Sequence, residues 1–293
     1  MEDKRQYYKK YKATINKKYD NNKDGLISIN EYLAIEKSMG PKEKEGNIDY
    51  YYQDEDNVYN FFTILQLQKI KKFKVLCIPT FEIIFGDKND MITRTTAIID
   101  VKKKRHFFPE IIKEEVKKCK KKDNVRIIYF TLKLILDSKC NFSHANMIVI
   151  DLFNKTIERF EPHGCCPSYT RKEEKYINDF FKNKGKKLIG LDNYKYISPK
   201  NISKKIGIQH LGDSYNGMCV TISMMYLHMR LLNLDTKPRY IIEHFIKKSK
   251  KEVKDTILRY AKYIEKTLKK ESKLVKKLNK SLDNIIYGKN WNF

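Results

Sequence analysis

The sequence predicts an α+β fold, a mixed sheet with a central helix, on three observations. β-Branched and aromatic runs gather in the middle of the chain, at Phe73 to Phe85, Val125 to Leu136, His144 to Asp151 and Thr156 to Glu161, which is strand texture. The run Met218 to Leu232 carries no charge until Arg230, so it reads as a helix buried on all sides. From residue 236 onward the pattern is helical and basic.

The elements follow in order. Residues 1–40 are polar and helix-punctuated and close on the breaker pair Gly40-Pro41. Residues 41–72 form a connector passing into an amphipathic segment with Tyr59, Phe61, Phe62, Leu65, Leu67 and Ile70 at its apolar positions. The strand-rich part and the buried helix make one domain over 73–235. Within it Leu-Phe-Asn-Lys links Asp151 to Thr156 as a hairpin turn. A helical stretch with Tyr176, Ile177, Phe180 and Phe181 on one face precedes a loop through Gly185 and Gly190. Over 236–293 the positions Ile257, Ala261, Ile264, Leu268, Glu271, Val275, Leu278, Leu282 and Ile285 step by four and three, a heptad-like seam that packs on the domain or finds another helix.

A chain of 293 residues affords its own core. With 61 Lys+Arg against 36 Asp+Glu the charge is +25, which favours polyanions without choosing among nucleic acid, an anionic membrane surface and an acidic protein. No stretch approaches ~18 apolar residues and Met1 to Lys10 has no apolar core, so neither a membrane span nor secretion is expected. The six cysteines, at 77, 119, 140, 165, 166 and 219, show no CxxC pattern. They read as reduced thiols of an intracellular protein.

Residues 20–31, Asp-Asn-Asn-Lys-Asp-Gly-Leu-Ile-Ser-Ile-Asn-Glu, match the EF-hand loop at every specified position. Ca²⁺ takes six to eight hard oxygens. Asp20, Asn22 and Asp24, the Leu26 carbonyl, Ser28 (often through a water) and a bidentate Glu31 supply them, and Gly25 allows the bend. Tyr7, Tyr8, Tyr11 and Ile15 before the loop, and Tyr32, Leu33 and Ile35 after it, provide apolar stripes for a helix-loop-helix. Only one such loop is visible; Lys44 to Gln53 would put Tyr52 where a second loop needs its acid. A lone loop with neutral ligands is expected to bind weakly or to depend on dimerisation.

A second constellation suits nucleophilic catalysis. Cys219 opens the buried helix, where the macrodipole and free N–H groups favour a thiolate. His144 opens a strand and Glu161 ends the next, so the carboxylate can fix the imidazole while the other ring nitrogen faces the sulfur. The stretch Ser143-His-Ala-Asn-Met-Ile-Val-Ile-Asp-Leu-Phe-Asn-Lys-Thr-Ile-Glu-Arg-Phe-Glu-Pro-His-Gly164 resembles the His-strand-turn-strand-acid block of the SUMO/ubiquitin-like-protein-specific cysteine peptidases, a group that includes adenovirus proteinase. Gln209-His-Leu-Gly-Asp-Ser-Tyr-Asn-Gly-Met-Cys-Val220 resembles that group's Gln, loop and Cys-Val block at the head of the central helix. Similar domains occur in large DNA viruses. The chain departs from the pattern in Ala145 after the histidine, in Gly-Met before Cys219, and in Glu161 where Asp is commoner. Gln209 also stands further from the cysteine, with Asp213 nearer the usual position.

The resemblance implies a papain-like α+β core over about residues 70–235, with Cys219 as nucleophile, His144 as general base and Glu161 orienting it. Gln209 is the first choice for the oxyanion, with Asn216 or backbone N–H groups as substitutes. It implies substrates with Gly-Gly-like ends, either ubiquitin-like conjugates or viral structural precursors. His163, Cys165 and Cys166 are expected to form a loop at the site rim rather than a metal centre, and His210 is a rival base only if Glu161 is misassigned. Two other functions compete: a non-enzymatic calcium-responsive binding protein on a peptidase-like fold, and a nucleic-acid-associated structural protein. Residues 247–280 carry 14 Lys/Arg against 4 acids, suited to weak, non-specific polyanion binding or simply to a solvated face.

Overall fold

The structure, a computed structural model, describes residues 4–36, 52–68, 74–85, 91–137, 143–165, 169–203, 206–213 and 217–287. Its strands are β1 (Leu76–Cys77), β2 (Glu82–Phe85), β3 (Met91–Arg94), β4 (Thr96–Asp100), β5 (Arg105–Phe107), β6 (Ile127–Ile135), β7 (Ser143–Asp151), β8 (Thr156–Phe160) and β9 (Lys195–Ile197). The helices are α1 (Lys4–Tyr19), α2 (Ile29–Ile35), α3 (Glu55–Gln68), α4 (Ile111–Lys121), α5 (Arg171–Phe180), α6 (Lys186–Leu188), α7 (Pro199–Ile202), α8 (Ile208–Gly212), α9 (Cys219–Leu232), α10 (Pro238–Ile246), α11 (Lys250–Lys270) and α12 (Ser272–Tyr287). This is the mixed α+β architecture that the patterning predicts.

The chain forms two compact units from interleaved segments: Met1–Gln53, Phe160–Ser168 and Ile197–Lys266 in the first, and Asp54–Arg159, Tyr169–Tyr196 and Thr267–Phe293 in the second. The second carries the main sheet, in the order β5-β4-β6-β7-β8-β9, with β1 also on β6. β6 is central. Its Ile-Ile-Tyr-Phe-Thr-Leu-Lys-Leu-Ile run is buried at every position but Lys133, the continuous apolar texture of a strand covered on both faces. It pairs antiparallel with β7 from Ile127 opposite Asp151 to Ile135 opposite Ser143, and parallel with β1 and β4. The expected β7–β8 hairpin is present. Asp151 Oδ1 accepts from the Phe153 and Asn154 N–H groups at 2.9 and 3.0 Å, and Arg126, itself buried, pairs with Asp151 at 3.2 Å.

Three expectations are corrected in this unit. Phe73 to Phe85 is not one strand: the chain leaves the sheet at Pro79, which has no N–H to donate, and β2 pairs with β3 in a separate two-stranded sheet. Gly185 lies in a π-helical turn, Phe181–Gly185, rather than in a loop; its missing Cβ leaves room for the Phe180 and Phe181 rings. The cysteines are not all reduced: Cys77 on β1 and Cys119 on α4 form a disulfide, with Cα atoms 5.7 Å apart and 42 residues between them in sequence. Both face the core, so packing rather than any local spacing brings them together. Cys165 and Cys219 form no disulfide, while Cys140 and Cys166 lie outside the described residues.

The basic C-terminal seam is divided between the two units at residues 266 and 267. Ile257, Ala261 and Ile264 of α11 are buried, the helix ends before Glu271, and α12 continues with Leu282 buried and Ile285 at 42% exposure. Within the second unit α12 is tied down by Asn60 Nδ2 donating to Asn279 Oδ1 (2.6 Å) and by Arg94 bridging Asp56 and Asp283 (3.1 and 2.9 Å). Among the described residues no helix is long and apolar enough to cross a membrane.

Candidate functional site

Cys219 is the first residue of α9, a 14-residue helix whose residues from Thr221 to Leu232 are all buried. Its thiol is half-buried. The first N–H groups of a helix have no intrahelical acceptor, and their partial positive charge favours an anion; the N-cap, Met218, offers no side-chain cap. The approach to the helix is braced by Asp213, whose Oδ2 accepts from the Gly217 N–H (3.1 Å), the Met218 N–H (3.1 Å) and Gln209 Nε2 (2.8 Å). A Cβ on Gly217 would meet the Tyr52 ring, which would have to move aside. Burial, and then the Asp213 carboxylate, raise the Tyr52 phenol above its ordinary pKa.

The ends of the two sequence blocks lie side by side in the same unit. Gly207 N–H donates to His163 O (2.8 Å), Gln209 N–H to Pro162 O (3.0 Å), and Gly164 bridges Ile206. Gly207 makes this possible, because a Cβ there would meet the backbone of Pro162, His163 and Gly164 well inside 3.0 Å. Glu161, 1% exposed, accepts the His163 N–H at 3.0 Å, and the His163 and His210 rings lie 4.5 Å apart. Just before Glu161, Phe160 stacks on Tyr226 of α9 (4.0 Å, 6° between planes). The first unit contains Cys219, Glu161 and Gln209, with the His163 N–H on Glu161.

His144 belongs to the second unit. It is the second residue of β7, opposite Leu134, and 4% exposed. β7 and β8 are sheet neighbours, and Glu161 follows β8 directly. Gln209, 7% exposed, spends its amide N–H on Asp213, and its Oε1 is buried with no hydrogen-bond partner. Asn216 lies outside the described residues. The bracing by Asp213 has no unambiguous signal in the sequence. Its spacing from Cys219 was the available signal, but spacing cannot say that a carboxylate would turn to backbone donors.

The 20–31 segment links α1 to α2 as a helix-loop-helix. Asp20 Oδ2 accepts from Gly25 N–H (3.1 Å), Asn22 Oδ1 from Asp24 N–H (3.0 Å) and Asp24 Oδ1 from Leu26 N–H (2.8 Å). Gly25, at φ +78°, makes the bend that favours glycine. Ser28 caps α2 in a reciprocal box with Glu31, whose Oε2 accepts from Ser28 N and Oγ at 2.9 and 2.8 Å. Asp20 Oδ1 and Glu31 Oε1 are buried and lack hydrogen-bond partners. Orphaned carboxylate oxygens are costly, and as hard donors they suit Ca²⁺. Among the described residues no three His, Cys, Asp or Glu side chains meet closely enough to hold a metal by themselves, so Asn22, Ser28 and the Leu26 carbonyl would have to complete the set.

No family model matches the chain. A curated protein of Acanthamoeba polyphaga mimivirus, named as an ankyrin repeat protein, is 29% identical over 138 residues, covering 41% of this chain and 18% of that protein. Two crystal structures of the Legionella pneumophila effector protein RavZ are similar at 12% identity. One, in complex with human LC3B, has a TM-score of 0.36 over 78% of this chain and 66% of RavZ; the other has a TM-score of 0.33 over 78% and 71%. The chain spans under a fifth of the mimivirus protein's length, and superpositions this loose carry no argument about activity.

Proposed function

We propose that the chain is a thiol-dependent peptidase or isopeptidase with a papain-like core and a calcium-binding EF-hand, akin to the SUMO/ubiquitin-like-protein-specific peptidases. Cys219 Sγ gives its proton to His144 and attacks the substrate carbonyl. The imidazolium, oriented by Glu161, returns the proton to the leaving amine, and water then hydrolyses the thioester. The observation that carries the reading is Cys219 at the head of a buried helix, in one compact unit with Glu161 and Gln209. Substrates are ubiquitin-like conjugates or viral structural precursors with Gly-Gly-like ends; the mimivirus relative supports keeping the viral class in that pair. The basic residues of 247–280 bind polyanions weakly.

A second reading has its own observation. Asp213 takes the amide of Gln209 and the N–H groups of Gly217 and Met218, leaving the oxyanion to backbone N–H groups in the first turn of α9, which have no intrahelical acceptor. A non-enzymatic binding protein on the same fold needs no more than that. Cleavage of a Gly-Gly-linked ubiquitin-like fusion separates the two. The peptidase cuts it and Cys219→Ala does not, whereas equal cleavage by both proteins, or none by either, removes the enzymatic reading for that substrate.

The calcium part rests on the donors of 20–31 and the two orphaned carboxylate oxygens. Asp20, Asn22, Asp24, Ser28, Glu31 and the Leu26 carbonyl would hold the ion. Calorimetry should give one site that is lost in Glu31→Gln; no heat at millimolar Ca²⁺ would reject it.

A further inference from the structure

The loop of 20–31 is clasped from outside. Asn233, the residue that ends α9, donates from Nδ2 to Ile27 O and accepts the Ile27 N–H at Oδ1, both at 2.8 Å. One side-chain amide thereby satisfies both backbone groups of one residue, as a neighbouring strand would. The clasp is itself anchored: Nδ2 also donates to Met229 O at 2.9 Å, and the Asn233 carbonyl accepts from the buried Arg230 at 3.2 Å. Ile27 and Asn233 are both buried, so these bonds form away from competing water and hold the backbone firmly.

The two residues beside Ile27 are both donors in the calcium reading, the Leu26 carbonyl before it and Ser28 after it. Locking both peptide groups of Ile27 therefore sets the direction of each. We infer that Asn233 is a positioning residue for the ion, fixing the Leu26–Ser28 stretch in the conformation that binds and replacing the second loop or second copy that an isolated loop would otherwise need. This rests on the calcium reading of 20–31. It replaces the expectation of weak or dimer-dependent binding with one ion per monomer, because the clasp comes from the same chain and the same compact unit. Preorganisation raises affinity by removing the ordering cost from the binding step.

The test is calcium calorimetry on the full chain with sedimentation, for wild type, Asn233→Ala and Asn233→Asp, with Glu31→Gln as the non-binding control. Wild type should bind one Ca²⁺ as a monomer, with and without the ion. Asn233→Ala should bind about tenfold or more weakly, as expected for two lost hydrogen bonds. Asn233→Asp keeps an acceptor for the Ile27 N–H but sets its other oxygen against the Ile27 and Met229 carbonyls, and should bind at least as weakly as Asn233→Ala. A purely structural role would lower the melting temperature equally with and without calcium. Positioning instead predicts that the calcium-induced rise itself shrinks in Asn233→Ala, since that rise follows the affinity. If wild type binds and both variants bind equally well, or if binding requires a dimer, the inference is overturned while the calcium reading stands. If wild type does not bind, both fall. Should Asn233→Ala fail to fold, the comparison of Asn233→Asp with wild type decides alone.

Discussion

Replacing Gly207 with alanine should destabilise the protein, against the usual sign of such a change. Gly207 has φ −85° and ψ 179°, an extended conformation open to any residue. Conformational entropy alone would therefore make alanine stabilising by about 0.4–1 kcal/mol. The added methyl, however, meets only backbone atoms of Pro162, His163 and Gly164, and no side chain can swing aside. Relief requires residues 206–209 to draw away from 162–164, which breaks the Gly207–His163 and Gln209–Pro162 hydrogen bonds. Overpacking costs about 1–3 kcal/mol and two hydrogen bonds together about 1–3 kcal/mol. Less the entropic gain, the net is roughly 1–5 kcal/mol of destabilisation. Urea unfolding followed by far-ultraviolet circular dichroism reads it as a lower midpoint at unchanged slope. A midpoint equal to or above wild type would refute the close approach of the two segments.

Other outcomes follow from the same contacts. Asp213→Ala frees three donors from one charged acceptor and should cost at least about 2 kcal/mol, partly recovered in Asp213→Asn, whose amide oxygen still accepts; wild-type stability in Asp213→Ala would remove the brace. Reducing the Cys77–Cys119 bond, which closes a loop spanning 42 residues, should lower stability by about 4 kcal/mol on the chain-entropy account; an unchanged denaturation midpoint with reductant would contradict it. Oligonucleotide binding through the basic 247–280 segment should be indifferent to base sequence and fall steeply with salt; a sequence-selective complex that survives high salt would favour the nucleic-acid-protein reading.

What was legible in the sequence was periodic or local. The β7–β8 hairpin and α9 were readable because β-branched density and a chargeless run report burial directly. The bend at Gly25 follows from neighbours in sequence, whereas the reading of Ser28 and Glu31 as calcium ligands did not include the capping box they form. β3, β4 and β5 carry no such signal, being short and separated by turns at Thr95 and Lys104, which adopt positive φ without glycine. The disulfide, the Asn233 clasp and the Gly207 approach join residues far apart in sequence, and no local pattern marks such a pairing. Asp213 shows the same limit at short range: its spacing from Cys219 was visible, whereas its turn toward the Gly217 and Met218 N–H groups depends on the path of the loop.

The proposal that Cys219 is a nucleophile served by His144 is tested by alkylating the full chain with iodoacetamide at neutral pH and reading each cysteine by mass spectrometry. In wild type Cys219 should react about tenfold or more faster than in His144→Ala, because the imidazole takes the thiol proton, with Cys219→Ala marking the background. Equal rates at Cys219 in wild type and His144→Ala would contradict the role proposed for His144.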